Sequence, residues 1–219
     1  QLVLLSGGSG KRLCPLSNNV RSKQFLPLLE KEDGTIESMV QRVVRQAKAA
    51  GLTNAITLAT NTSQLDIITN QLGDTVSVVT EPECRDTFPA IALAASYLHF
   101  AKCCADDEVI VIMPCDPYTE ADYLETIGKM VECVKRDVAE LVLMGITPTY
   151  PSEKYGYVMP IASDNEYKMV SYFTEKPTVE RAKELLAENA YWNGGVFAFR
   201  LGYICLLYTS DAADDRISV

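Results

Sequence analysis

Apolar residues follow two rhythms along the chain. Short apolar-rich runs at residues 2–5, 55–59, 76–79, 109–113 and 141–145 are too short for buried helices and predict strands. Between them, Met39, Val40, Val43, Val44, Ala47 and Ala50 recur at the 3.6-residue spacing of an amphipathic helix that stops at Gly51. Further helices are expected over 62–72 (ending at Gly73), 89–101 and 121–134. The run 109–113 is the most uniformly apolar and is predicted to be central in the sheet.

This β-α-β-α order implies an α/β fold, a doubly wound and mostly parallel sheet. Ligands of such sheets gather at the carboxyl ends of the strands, here the loops after Leu5, Val79 and Met113. Beyond about residue 150 the texture changes. Residues 157–161 and 168–173 alternate like antiparallel strands, and a helix at 179–188 precedes a strand at 191–199. The predicted organisation is a catalytic domain over 1–201, incomplete on its C-terminal side and carrying this small antiparallel excursion, and a doubtful tail at 202–219 that breaks the preceding pattern.

Composition narrows the function classes. A formal charge of −9 over 219 residues argues against nucleic-acid or anionic-membrane binding, which need a basic face. No apolar stretch approaches membrane-spanning length, and the apolar start lacks the basic flank and cleavage site of a signal peptide. The seven cysteines show no Cys-x-x-Cys spacing, which favours reduced thiols and a cytoplasmic location.

The chemistry concentrates in a few places. In Ser6-Gly7-Gly8-Ser9-Gly10-Lys11-Arg12, closely spaced glycines let successive N–H groups converge on phosphate oxygens. The spacing is neither a P-loop nor a dinucleotide fingerprint, since Leu13 stands where the latter needs a third glycine. Arg12 supplies a guanidinium suited to bidentate phosphate contact. Lys23 precedes an apolar Phe-Leu-Pro-Leu that should be buried and tether it, although an isolated lysine is by default a solvated one. Asp116, just past the central strand, is a reasonable magnesium ligand, with a plain turn aspartate as the alternative. Asp86 and Thr87 are plausible helix caps ahead of Pro89.

Together, Gly-Gly-Ser-Gly-Lys-Arg-Leu-x-Pro-Leu-Ser and the later Ser-Lys-Gln-Phe-Leu-Pro-Leu form a signature that resembles the sugar-1-phosphate nucleotidylyltransferases. The Ser-Lys-Gln-Phe form is most similar to members that join GTP and mannose 1-phosphate. The resemblance runs to about Leu201. It implies a nucleotide site of Ser6 to Arg12, Glu81, Pro82, Arg85, Asp86, Thr87 and Asp116, with Asp86 where the family usually has Asn. It implies a sugar-phosphate site of Gly156, Tyr157, Glu175, Lys176, Asn193 and Gly194, read from Tyr-Gly-Tyr-Val, Phe-Thr-Glu-Lys-Pro and Trp-Asn-Gly-Gly-Val-Phe. The Trp192 ring itself reads as a core aromatic, and Glu175–Lys176 could equally be a surface ion pair.

The expected reaction is attack of a sugar 1-phosphate on the α-phosphorus of GTP, with Arg12 and Lys23 as catalytic cations and magnesium on Asp116. No side-chain nucleophile is needed, because the attacking phosphate is already ionised. The alternatives are glucose 1-phosphate with UTP or dTTP, or a non-catalytic nucleotide-binding relative. Oligomeric state is left open, with a homo-oligomer as one option.

Overall fold

The computed structural model describes residues 1–6, 16–18, 21–83 and 87–209. The chain divides into two compact units, Gln1–Val142 with Phe197–Val219, and Leu143–Val196.

In the first unit, β1 (Leu2–Leu5) lies between β4 (Ile56–Asn61) and β6 (Val109–Pro114), with β5 (Ser77–Glu81) outside β4, all parallel. Side chains alternate faces along a strand, so consecutive buried residues mean that both faces are covered. That is the case for Leu2–Val3–Leu4 and for Ile110 through Met113. Val3, Ala59, Val79, Ile110 and Ile112 share one core with Ile91, Ala94, Ala95 and Leu98, contributed by α3 (Thr87–Ser96) and the π-helical turn after it. Along the other face Leu2 and Val111 share a cavity wall with Ile127 and Val131 of α4 (Ala121–Lys135). The expected doubly wound arrangement is therefore present.

Local signals set the helix ends. Ser38 begins α1 (Met39–Ala49) with a capping box: its side chain accepts from Gln41 N, and the Gln41 side chain returns to Ser38 N. Residues 62–64 form a separate 3-10 turn ahead of α2 (Leu65–Leu72), dividing the single helix expected there.

Other differences have physical reasons. The slot beside β6 is taken by Phe197–Arg200 of β10 (Tyr191–Arg200), running antiparallel, and the predicted fifth parallel strand, β7 (Leu141–Ile146), pairs with β10 instead. A hairpin of β2 (Pro27–Glu30) and β3 (Ile36–Ser38) turns through Asp33 and Gly34, where the sequence reading placed no strand. Phe25 and Leu26 are buried as expected, but Leu28 is 61% exposed, so the tether of Lys23 is shorter than the apolar run suggested. Past residue 201 the chain continues as α6 (Leu201–Thr209), with Leu201 and Ile204 in the core of the first unit.

The second unit carries the small antiparallel excursion. Strand β8 (Tyr157–Pro160) pairs with β9 (Val170–Thr174) on one side and with Tyr191 and Trp192 of β10 on the other. Helix α5 (Val179–Ala187) adds Ala182 and Leu185 to a core with Tyr157, Met159, Ala190 and Trp192. Among the described residues, no helix is long and apolar enough to cross a membrane.

Candidate functional site

Because β1, β4, β5 and β6 are parallel, Ser6, Asn61, Glu81 and Cys115–Asp116 all stand at one edge of the sheet of the first unit. Ser6 N donates to Ala59 O at 2.8 Å and Cys115 N to Leu5 O at 3.2 Å, extending the ladder to the residues that leave the strands. Beyond Ser6 the predicted phosphate turn, Gly7, Gly8, Ser9, Gly10, Lys11 and Arg12, lies outside the described residues, as do Arg85 and Asp86. Thr87 is the first helical residue of α3.

Lys23 and Asp116 come together here. Lys23 opens a 3-10 turn whose Phe25 is fully buried, and its ammonium forms an ion pair with the Asp116 carboxylate. The two side chains keep 45% and 36% of their surface exposed, so both groups stay open to ligand. Beside them, burial, reinforced by the negative charge of Asp116, pushes the Cys115 thiol up to about 12 and the Tyr123 hydroxyl up to about 12. Neither is a nucleophile or base near neutral pH. The loop after Asp116 is held by α1: the Arg42 guanidinium lies 4.2 Å from the centre of the Tyr118 ring, and Gln46 donates to Thr119 O at 3.4 Å.

The sequence reading missed a buried polar network behind this pair. Gln24 Nε2 donates to Ser6 O at 2.9 Å and to Ser6 Oγ at 3.0 Å. Gln64 Nε2 donates to Ser22 Oγ at 2.6 Å, while its Oε1 accepts from Thr60 Oγ1 at 2.5 Å and from Ser6 Oγ at 3.5 Å. Gln71 Nε2 donates to Phe25 O at 2.8 Å. Glutamine is mostly a surface residue. The only sequence signal was the place of Gln24 inside Ser-Lys-Gln-Phe.

Glu81 is 5% exposed, and burial raises its carboxyl above the usual range. A carboxyl raised by folding favours the folded state below its ordinary value and opposes it as pH rises through the raised one. Glu81→Gln is therefore expected to melt above the parent at pH 7. The difference should vanish below about pH 4, which a pH series of thermal melts would test.

In the second unit, Gly156 precedes β8 and its carbonyl accepts from Asn193 N at 2.8 Å. The Asn193 side-chain oxygen accepts from Gly195 N at 3.0 Å, in a turn that needs φ of +68° at Gly195. Lys176 and Glu175 form an exposed pair at 3.3 Å. Lys176 holds φ of +41°, a left-handed backbone that a lysine adopts only at a cost of about 1 kcal/mol. Tyr157 is 1% exposed, and its hydroxyl accepts from Ser152 N and donates to Ser152 O. Its side chain thus ties β8 to the loop that precedes it. Trp192 lies in the core as expected, with Tyr150 and Tyr155 against its ring.

A Cβ on Gly156 would stand 2.6 Å from Glu175 Oε2 and 2.6 Å from the Phe173 ring, and one on Gly194 would stand 3.0 Å from Met144 O. Gly156→Ala must displace both the carboxylate and the ring, but each is the exposed end of a side chain that can give way, so a thermal melt should show a stability loss of only about 1 kcal/mol.

The nucleotidyl transferase family model matches residues 1–215, and the chain belongs to that family. It is 32% identical over 220 residues to a mannose-1-phosphate guanylyltransferase of Sinorhizobium fredii, covering 97% of this chain and 41% of that protein. It is 34% identical over 206 residues to the alginate biosynthesis protein AlgA of Pseudomonas syringae pv. tomato, covering 90% of this chain and 41% of AlgA. The chain therefore spans under half the length of these curated relatives. Among solved structures, one described as mannose-1-phosphate geranyltransferase from Thermus thermophilus is similar with a TM-score of 0.79 at 29% identity, over 94% of this chain and 58% of that one.

Proposed function

We propose that this chain transfers a guanylyl group from GTP to mannose 1-phosphate, giving GDP-mannose and pyrophosphate. The observation that carries the reading is the pairing of Lys23 with Asp116 beside Ser6, at the edge where the parallel strands end. The names of the relatives support the choice of guanosine and mannose.

In this reading the bond that forms joins a phosphate oxygen of the sugar 1-phosphate to the α-phosphorus, and the bond that breaks releases pyrophosphate. Catalysis rests on positioning and on charge neutralisation. Lys23 would leave Asp116 for the α-phosphate and Arg12 would meet the triphosphate. Glu81, Pro82, Arg85, Asp86 and Thr87 would approach base and ribose. Lys176 would hold the incoming sugar's phosphate and Glu175 its hydroxyls. Since the Asn193 oxygen is committed to Gly195, its amide NH2 would read a sugar hydroxyl.

Asp116 is the described residue that would hold magnesium. Among the described residues no cluster of three or more potential ligands exists, and Asp116 offers a single hard oxygen donor. That suits an ion which keeps several waters and takes its other ligands from substrate phosphates. When bound, it would neutralise charge on the nucleotide oxygens.

The deciding experiment measures pyrophosphate release for GTP, ATP, UTP and dTTP, each with mannose or glucose 1-phosphate and with or without magnesium. GTP with mannose 1-phosphate and magnesium should be turned over fastest. Faster use of UTP or dTTP with glucose 1-phosphate would overturn the assignment.

A further inference from the structure

We infer that Gln64 and Gln71 are positioning residues: from outside the catalytic turn they clamp its two ends and so set where the Lys23 ammonium stands.

The turn is short and has little to hold it. Lys23, Gln24 and Phe25 form one 3-10 turn, and Ser22, which precedes it, makes no capping bond with its side chain. Its internal backbone bonds are Phe25 N to Ser22 O at 3.0 Å and Leu26 N to Lys23 O at 3.2 Å. A single turn gives few hydrogen bonds for the backbone it orders. External contacts must therefore supply the rest of its rigidity.

Those at its two ends come from one neighbouring stretch of chain. At the front, Gln64 Nε2 holds Ser22 Oγ, the side chain just before Lys23. At the rear, Gln71 Nε2 holds Phe25 O, two residues after it. The oxygen of each amide is also engaged. Gln64 Oε1 accepts from Thr60 Oγ1 at the end of β4, and Gln71 Oε1 accepts from Ser38 Oγ at the start of α1. Gln24 closes the arrangement inside the turn by donating to Ser6, so the turn and the exit of β1 move as one piece.

The residue type matters. A buried amide donates and accepts at once without carrying charge. At Gln64, which is 2% exposed, methionine would fill the space and make none of the bonds. Glutamate would lose the donor and bury a negative charge. The effect on reaction follows if Lys23 is the catalytic cation, so that part rests on the function proposed above. The effect on the position of Lys23 does not.

The test separates the two. Gln64→Met, Gln71→Met and Ser22→Ala are each labelled with an amine-acylating reagent, and Lys23 acylation is read by peptide mass spectrometry against Lys48 and Lys135. Loss of one clamp bond should raise Lys23 labelling about fivefold, the worth of a typical net hydrogen bond, with Lys48 and Lys135 unchanged. Pyrophosphate release should show kcat lowered on the order of tenfold at unchanged KM for GTP. In a Lys23→Met background the same substitutions should lower the residual rate less than about twofold, since they act through the missing group.

Unchanged Lys23 labelling in the variants overturns the inference, as do equal rate losses with and without Lys23. Should Gln64→Met fail to fold, Ser22→Ala removes the same bond by deleting one hydroxyl and decides the point. A chain that turns over no nucleotide would defeat the proposed function, while the labelling would still decide the clamp.

Discussion

Lys23→Met is expected to lower kcat for guanylyl transfer by about a hundredfold while GTP affinity changes less than about threefold. The ammonium stands on a turn anchored by a fully buried Phe25 and faces the carboxylate of Asp116. On the proposed function it would meet the α-phosphate from a backbone that is already ordered. Its contact should strengthen as charge builds on the α-phosphoryl oxygens, so the loss should appear in turnover and not in binding. Steady-state pyrophosphate release and a GTP titration on one preparation separate the two. Equal losses in both would make Lys23 a ground-state phosphate anchor.

Asp116→Asn should cost more, from about a hundredfold to a thousandfold in rate, and should raise the magnesium needed for half-maximal activity by about tenfold or more. Asparagine keeps the shape and one oxygen but removes the charge. Fold stability should hardly move, since the Lys23–Asp116 pair is substantially exposed and such pairs contribute little. A magnesium titration of rate, beside a thermal melt of each protein, checks both halves. A large fall in melting temperature would recast Asp116 as structural, and an unchanged magnesium profile would remove it from the metal site.

Strands whose burial is continuous were legible from composition alone. The runs at 2–5 and 109–113 are apolar at successive positions because both sheet faces are covered, and no other local structure of that length explains them. The short hairpin after Lys23 was not legible: Leu28 and Ile36 are exposed, so no alternation marks its strands. Nor could any local pattern reveal that Phe197–Arg200 runs antiparallel beside β6, since the two segments are far apart in sequence.

For the site, Asp116 was found because a carboxylate just past an apolar strand stands out, and Lys23 because it precedes an apolar run inside the Ser-Lys-Gln-Phe signature. The glutamines behind them were missed because a buried amide and a surface amide look alike in a sequence. Only its partners distinguish Gln64, and those come from three separate segments.

Cys115 has a practical consequence. Its side chain is 1% exposed and its thiol is raised to about 12, so at pH 8 the reactive thiolate is on the order of one part in ten thousand. A thiol reagent would modify it chiefly when the end of β1 frays from β6, breaking the bond from Cys115 N to Leu5 O. The kinetics of that modification would then time the breathing of the sheet edge beside Lys23 and Asp116, a clock supplied by a native residue without any attached probe.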